Sequence, residues 1–170
     1  PSVTVELKSK ASGQILAIQG ETGQVVEKGT LLVQIDKRNP QNSLAQAAAQ
    51  LEAAKARRAI AEAQSRRAAK LLEERIINDV DFEQSQLEAA NAKAEVVRSQ
   101  VAVETPRIQL DDTDLRAPIT GTIIEKLVEE GQVISSPTTD VGGGTLMLKM
   151  ADLTSVEVRT LVDETDIGKI

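Results

Sequence analysis

The chain has 170 residues, a net charge of −6 and a pI near 4.8, and it contains no His, Cys, Trp or Tyr. The absence of His and Cys removes most of the usual catalytic and transition-metal apparatus, because no Ser-His-Asp triad, Cys nucleophile or His/Cys zinc site can be built. No enzymatic activity, cofactor or metal is expected. Acidic and basic residues are mixed, and Phe82 is the single aromatic residue, which argues against nucleic-acid binding.

The first predicted element is a small β-rich region that ends before Pro40. Alternating apolar and polar residues at 3–7 predict a half-buried strand. Glycines then separate short apolar pairs, which is typical of a small β-barrel or sandwich with tight turns. These glycine-led segments are 13–16, 23–26 and 29–32.

A long helix is predicted next, over about residues 41–74, because this stretch contains no Gly or Pro and is rich in Ala, Glu, Gln, Lys and Arg. Residues spaced seven apart, with small residues at the intervening three-residue step, predict a heptad seam. The seam residues are Leu44, Leu51, Arg58, Ser65 and Leu72, with Ala47, Ala54, Ala61 and Ala68.

A second helix is predicted over about residues 79–110, with Asn78 or Asp79 as its cap. Two heptad helices joined by about five residues run antiparallel, so each is expected to bury its stripe on the other. Pro106 is expected to kink or end the helix near Thr105, or to mark where the hairpin loosens as it rejoins the β-domain. The stripe predicted for this helix is Val80, Leu87, Ala94, Val101 and Ile108, with Ala90 and Val97 as partner positions.

The glycine-punctuated motif then returns 108 positions after its first copy. Its segments are 121–124, 131–134 and 144–147. Each copy supplies too few apolar residues for a core of its own, so the two copies are expected to pack as one β-domain. Alternating residues at 156–162 predict one further strand beyond the repeat.

This order of parts resembles the periplasmic adaptor proteins, or membrane fusion proteins, of bacterial efflux pumps and type I secretion (the HlyD-like family). The segments 11–13 and 115–121 are similar to the family's glycine signatures, and 150–167 resembles its passage into a β-barrel domain. The repeated motif itself resembles half of a biotinyl/lipoyl domain.

The predicted fold class is α+β. A split lipoyl-like β-domain, 1–38 and 114–153, is interrupted by a long antiparallel α-helical coiled-coil hairpin, 39–113. Residues 154–170 are expected to begin a truncated β-barrel domain.

The resemblance also implies a partner-binding site at the hairpin tip. Adaptors that dock on TolC-type outer-membrane channels carry Arg and Leu four residues apart, followed seven residues later by Ser. Arg67 and Leu71 match this pattern, and Asn78 stands where Ser is usual. Asn can still form hydrogen bonds and cap a helix.

Two other candidate sites have simpler interpretations. Lys37 lies where the modified lysine of a lipoyl or biotinyl carrier domain would lie, but about 75 residues replace the tip that would present it. Asp111, Asp112 and Asp114 lack the spacing of a calcium loop and read as solvated residues at a helix end.

The resemblance implies an adaptor that assembles into a ring of about six subunits and forms a tube. In family members that tube links an inner-membrane transporter, of the ABC or RND type, to a TolC-type channel for efflux or secretion. The implied location is the periplasm, with an inner-membrane anchor that is not expected within this sequence. A lipoyl-type or biotinyl-type carrier domain of a multienzyme complex is the alternative.

Overall fold

A computed structural model describes residues 3–136 and 143–153. The chain divides into two compact units, one built from both ends of the sequence and one from residues 36–113. The first unit contains eight strands among the described residues, and the second contains two helices. The elements are β1 Val3–Lys8, β2 Gly13–Ile18, β3 Val25–Val26, β4 Leu31–Ile35, α1 Arg38–Glu73, α2 Asp79–Asp111, β5 Asp114–Arg116, β6 Gly121–Lys126, β7 Val133–Ile134 and β8 Leu146–Asp152.

The strands form two antiparallel four-stranded sheets, and each sheet combines both copies of the motif. One sheet has the order β1-β8-β6-β3 and the other has the order β5-β4-β2-β7. Every neighbouring pair except β2 with β4 and β6 with β8 joins a strand from the first copy to a strand from the second. The prediction of one β-domain made from two distant segments is therefore confirmed.

The two copies exchange short strands in the same way. Gly13 of the first copy pairs with Ile134 of the second, and Gly121 of the second copy pairs with Val26 of the first. The backbone N–H of Gly23 donates to the Ile123 carbonyl at 2.7 Å, and that of Gly131 donates to the Ile15 carbonyl at 2.9 Å. Gly23 and Gly131 have φ values of 90° and 84°, a region that favours glycine, so both copies need glycine at this turn.

The core of this unit draws equally on the two copies. Leu32, Val33, Ile35 and Ile123 are fully buried, as is Met150. The cluster consists of Leu7, Ala11, Ile15, Val26, Leu32, Val33 and Ile35 from the first copy and of Ala117, Ile123, Val128, Ile134, Met147, Leu148 and Met150 from the second. Half of the residues of this cluster are missing if either copy is absent, so the copies depend on each other for stability.

We expect Gly121→Ala to destabilise the β-unit by about 1–3 kcal/mol, because overpacking against backbone forces strands apart. A Cβ at Gly121 would lie 2.6 Å from the Ala151 carbonyl oxygen on the paired strand β8. Gly20→Ala is the matched control, since its Cβ meets the end of the Ile123 side chain at 2.6 Å and a side chain can rotate away. Calorimetric unfolding of both variants checks this, and an equal loss at Gly20 would contradict it.

In the helical unit, α1 packs on α2 along the face that the sequence predicts for α1. Ala47, Ala54 and Ala61 are buried. The heptad positions Leu44, Leu51, Arg58, Ser65 and Leu72 and the small residue Ala68 are half-buried. Arg58 is tolerated there because its Nε donates to Glu62 Oε1 at 2.6 Å, one turn further along the helix. That hydrogen bond lowers the pKa of the Glu62 carboxyl.

The face predicted for α2 is wrong. Val80, Leu87, Val97, Val101 and Ile108 are exposed rather than packed on α1. Ala90 and Ala94 are exposed as well. The packed face instead repeats at alternating steps of three and four residues, which is also a heptad pattern. Its members are Phe82, Ser85, Ala89, Ala92, Val96, Ser99, Val103, Pro106 and Leu110, of which Val96 and Ser99 are buried.

In its middle, between Ser85 and Ser99, this packed face has smaller side chains than the predicted stripe. Ala89, Ala92 and Ser99 belong to the packed face of α2, and the buried residues of α1 are alanines as well, so the two helix axes can approach closely. Valine, leucine and isoleucine at the predicted positions would hold the axes further apart. Hydrophobicity alone selects the wrong stripe because it ignores this steric requirement.

Helix α2 also continues through Pro106 as far as Asp111. Pro106 therefore does not end the helix, and the predicted range of about 79–110 agrees with the observed one. Proline removes one N–H donor, but half-buried Val103 and Leu110 continue the packing on both sides of it. The helix ends where the Thr113 hydroxyl donates to the Leu110 carbonyl at 2.6 Å.

Together these elements confirm the predicted fold class, a split β-domain interrupted by an antiparallel helical hairpin. The predicted start of a β-barrel at 154–170 and the strand at 156–162 lie outside the described residues. So does most of the loop that separates 131–134 from 144–147 in the second copy.

Candidate functional site at the hairpin tip

The turn between α1 and α2 is held by two backbone hydrogen bonds of the kind that end many helices. The Ile76 N–H donates to the Leu71 carbonyl at 2.8 Å, and the Arg75 N–H donates to the Leu72 carbonyl at 2.9 Å. This Schellman pattern needs a left-handed residue after the helix, usually glycine. Arg75 occupies that position with φ of 57°, so the tip carries a long basic side chain where a helix commonly carries none.

The tip exposes apolar and basic side chains together. Ile76 is 63% exposed, Leu71 is exposed on the last turn of α1, and Val80 is exposed on the first turn of α2. A shallow depression on α1 is lined by Ala63, Arg66, Arg67 and Lys70. Exposed apolar groups beside cationic groups are typical of surfaces that contact a protein partner, since apolar side chains supply burial and arginine supplies forked donors.

The three residues predicted for the site lie at this end of the hairpin. Arg67 and Leu71 are one helical turn apart on α1, and both are exposed. Arg67 makes no hydrogen bond or ion pair with the described part of the chain, so its guanidinium is available to a partner. Whether these residues bind a partner stays a prediction.

Asn78 has a structural role at the tip. It is the N-cap of α2, and its side-chain oxygen accepts a hydrogen bond from the Asp81 N–H at 2.8 Å. The capping role predicted for Asn78 is confirmed. Because that oxygen is engaged, Asn78 could offer a partner mainly its amide N–H₂ group.

Sequence reasoning missed Arg75 and Ile76 as site residues. Ile76-Ile77 stands out as an apolar pair in a turn, where polar residues and glycine are usual, and this pair was a usable signal. The left-handed backbone at Arg75 had no signal, because nothing in the sequence marks a non-glycine residue for that conformation.

We expect Arg75→Gly to stabilise the hairpin by about 0.5–1 kcal/mol, because glycine adopts a positive φ without steric cost. Glu74→Gly is the matched control, since Glu74 has φ of −77° and gains nothing from glycine. Thermal unfolding of both variants, followed by helical circular dichroism, checks this. A loss of stability in Arg75→Gly would contradict it.

Lys37 does not lie where a carrier lysine would lie. It is the N-cap residue of α1, between β4 and the helix, rather than at the tip of a β-hairpin. Arg38 next to it donates from Nη2 to Asp36 Oδ2 at 2.6 Å. The hydrogen bonds from Arg38 lower the pKa of the Asp36 carboxyl. Lys37 therefore belongs to a helix start, which counts against the carrier-domain alternative.

Two further properties concern the described residues only. Among them, His, Cys, Asp and Glu form no group of three that could hold a metal ion. None of the helices described there is both long enough and apolar enough to cross a membrane.

A single known protein family matches most of the chain, including the helical hairpin and much of the split β-unit. Residues 3–142 match the family model described as "RND MFP, barrel-sandwich hybrid domain", in which MFP stands for membrane fusion protein. The match covers the first copy of the β-motif, both helices and the segments 121–124 and 131–134 of the second copy.

Curated relatives are longer than this chain. The chain is 34% identical over 139 residues to the multidrug resistance protein MdtA of Pectobacterium carotovorum, which covers 81% of this chain and 33% of the relative. It is 32% identical over 167 residues to MdtA of Yersinia enterocolitica, covering 98% of this chain and 37% of the relative. The chain thus spans less than half the length of these relatives.

Among solved structures, a MacA–MexA chimera containing the Pseudomonas aeruginosa MexA α-hairpin domain has a TM-score of 0.61 and 30% identity. The alignment covers 99% of this chain and 54% of the chimera. ZneB of Cupriavidus metallidurans shares the fold, with a TM-score of 0.63, 23% identity, and coverage of 91% of this chain and 62% of ZneB.

Proposed function

The chain belongs to the membrane fusion proteins, the periplasmic adaptors of efflux pumps, and from that premise we propose that it joins an inner-membrane RND transporter to a TolC-type outer-membrane channel. The match of residues 3–142 to the RND branch of the family carries this proposal. The curated relatives are named multidrug resistance proteins, so drugs are the proposed cargo of the pump.

The hairpin tip is the proposed contact with the channel. It combines exposed Ile76 and Leu71 with the unpaired guanidinium of Arg67 and with Arg75. Burying the two aliphatic side chains supplies affinity, and the guanidinium groups can donate to carboxylates or backbone carbonyls of the channel. The adaptor itself performs no chemistry in this proposal.

Self-association is the second part of the proposal. One hairpin of two helices cannot enclose a passage, whereas a closed ring of copies can, and about six copies is the proposed number. The ring would lie in the periplasm. The inner-membrane transporter would supply the energy for transport.

Because the chain contains no cysteine, site-specific cross-linking can test the channel contact directly. An Ile76→Cys variant carrying a photoactivatable thiol reagent should cross-link to the TolC-type channel in cells that produce both proteins. Ala45→Cys, exposed near the start of α1, is the matched control and should not. Labelling of the channel from both positions, or from neither, would overturn the proposed contact.

A further inference from the structure

The tip of the hairpin has a basic side and an acidic side. Residues 66–75, which end α1 and begin the turn, include four basic and two acidic residues, a net charge of +2. Residues 79–90, the first turns of α2, include four acidic and no basic residues, a net charge of −4. Lys70, Arg75 and Glu83 are exposed, and none of them forms an ion pair with another described residue. Both signs of charge are therefore open to a partner.

On each side of the tip, two residues of the same charge are neighbours along the helix. Arg66 and Lys70 lie four residues apart on α1, and Asp79 and Glu83 lie four residues apart on α2. Like charges at this spacing weaken a helix, whereas opposite charges would strengthen it. The stability of the hairpin therefore does not explain why each side carries a single sign.

The helix dipoles explain only part of this arrangement. Lys70 in the last turn of α1, and Asp79 and Asp81 in the first turn of α2, suit the partial charges of those helix ends. The effect fades within one turn, so it does not extend to Arg67 or Glu83. At the base of the hairpin the dipoles are not matched, because the first turn of α1 contains no acidic residue and the last turn of α2 contains no basic one.

Arg75 adds an independent observation on the basic side. Its φ of 57° lies in the region that favours glycine, and it follows α1 at the position where glycine is usual. A long cationic side chain is thus present where the backbone would be more stable without one. Backbone strain of this kind is concentrated at sites that contact ligands or partners, so the side chain of Arg75 indicates a contact outside the hairpin.

We propose that the surface that receives the tip carries both signs of charge, with carboxylates over the α1 side and lysine or arginine over the α2 side. This inference rests on the proposed function and names the chemistry of its channel contact. A partner of one sign would attract one side of the tip and repel the other. Two signs on both surfaces also fix the orientation, because turning the tip by half a turn would bring like charges together.

A charge exchange at constant net charge tests this polarity. Lys70→Glu with Glu83→Lys should lower cross-linking from Ile76→Cys to the channel about tenfold or more, because each new side chain meets its own sign. Lys55→Glu with Glu104→Lys is the matched control, since it makes the same exchange between exposed residues of α1 and α2 away from the tip. The control should label the channel as the unchanged hairpin does. Circular dichroism verifies that both variants are folded.

Variants of Arg75 separate partner contact from the stability of the hairpin. Arg75→Gly relieves the positive φ and is expected to stabilise the hairpin, yet it should label the channel several-fold less from position 76. Arg75→Lys keeps the charge and should retain most of the labelling. Equal labelling by Arg75→Gly and the unchanged chain would contradict the inference, because the strained cation would then have no partner.

The signs on the partner can also be located directly. Photoactivatable reagents on Glu74→Cys, at the end of the α1 side, and on Val80→Cys, at the start of the α2 side, should attach to different channel peptides. Mass spectrometry should find the first adducts beside Asp or Glu and the second beside Lys or Arg. Adducts beside the same sign of charge from both positions would overturn the inference.

The cross-linking results distinguish failure of this inference from failure of the proposed function. If the charge exchange at positions 70 and 83 labels the channel as well as the unchanged hairpin does, the channel contact stands and the two-signed surface is overturned. If Ile76→Cys in an otherwise unchanged chain never labels the channel, the channel contact falls and this inference falls with it.

Discussion

Cells that depend on this adaptor should lose export when it carries Arg67→Asp together with Leu71→Ser, although its abundance stays at the wild-type level. Both side chains are exposed on the last turns of α1. Surface changes of this kind alter stability by about 0.5 kcal/mol or less, so the hairpin should remain folded.

The effect on partner contact should be far larger. Arg67→Asp reverses a charge, and a carboxylate placed against acceptors of a channel is both repelled and left unpaired. Leu71→Ser removes an aliphatic side chain that a partner surface would bury. Drug susceptibility in cells and cross-linking from position 76 are the two measurements.

A control pair separates this effect from a general effect of added negative charge. Gln41→Asp with Ala45→Ser has the same four-residue spacing on exposed positions near the start of α1 and should leave export intact. Normal export by Arg67→Asp, Leu71→Ser would show that this tip is only the end of a solvated helix.

The repeat was the strongest sequence signal because glycine has few substitutes at the turns it marks. Gly23 and Gly131 both require a positive φ, and Gly121 has no room for a Cβ, so these residues reveal the same backbone in two places. Strand exchange between the copies follows, since neither copy has enough apolar side chains to bury alone.

The hairpin shows where such signals fail. Helix α2 carries two heptad stripes, and the sequence does not say which one faces α1 and which one remains outside. Leu87 and Val101 are more hydrophobic than Ala89 and Ser99, yet the smaller pair is packed. Close approach to an alanine-rich partner helix decides the choice, and that is a property of the pair rather than of either sequence segment.

At the tip, a feature that depends on neighbouring residues can be predicted from the sequence, whereas a feature that depends on the whole turn cannot. The capping role of Asn78 is predictable because it depends only on the next three residues. The left-handed conformation of Arg75 depends on how the two helices reverse direction, so the sequence alone does not place this basic side chain at the tip.

Replacing Gln41–Thr113 with a short Gly/Ser linker should leave a folded β-unit that unfolds cooperatively. The two ends of the insertion meet in the sheet, because Gln34 on β4 and Asp114 on β5 are paired residues. Paired residues on antiparallel strands lie about 5 Å apart, so a few linker residues are sufficient to join them. The core cluster of this unit contains no residue from α1 or α2.

Residues 1–38 alone are the informative comparison, because they keep every strand of the first copy and lose all partners from the second. Strands β1, β3 and β4 then lack β8, β6 and β5, and half of the core cluster is gone. Two or three unsupported strands are marginal in water, so this segment should show no cooperative transition by calorimetry or circular dichroism. Cooperative unfolding of residues 1–38, or loss of all β-structure in the linker variant, would mean that the β-unit is not a single domain divided by the hairpin.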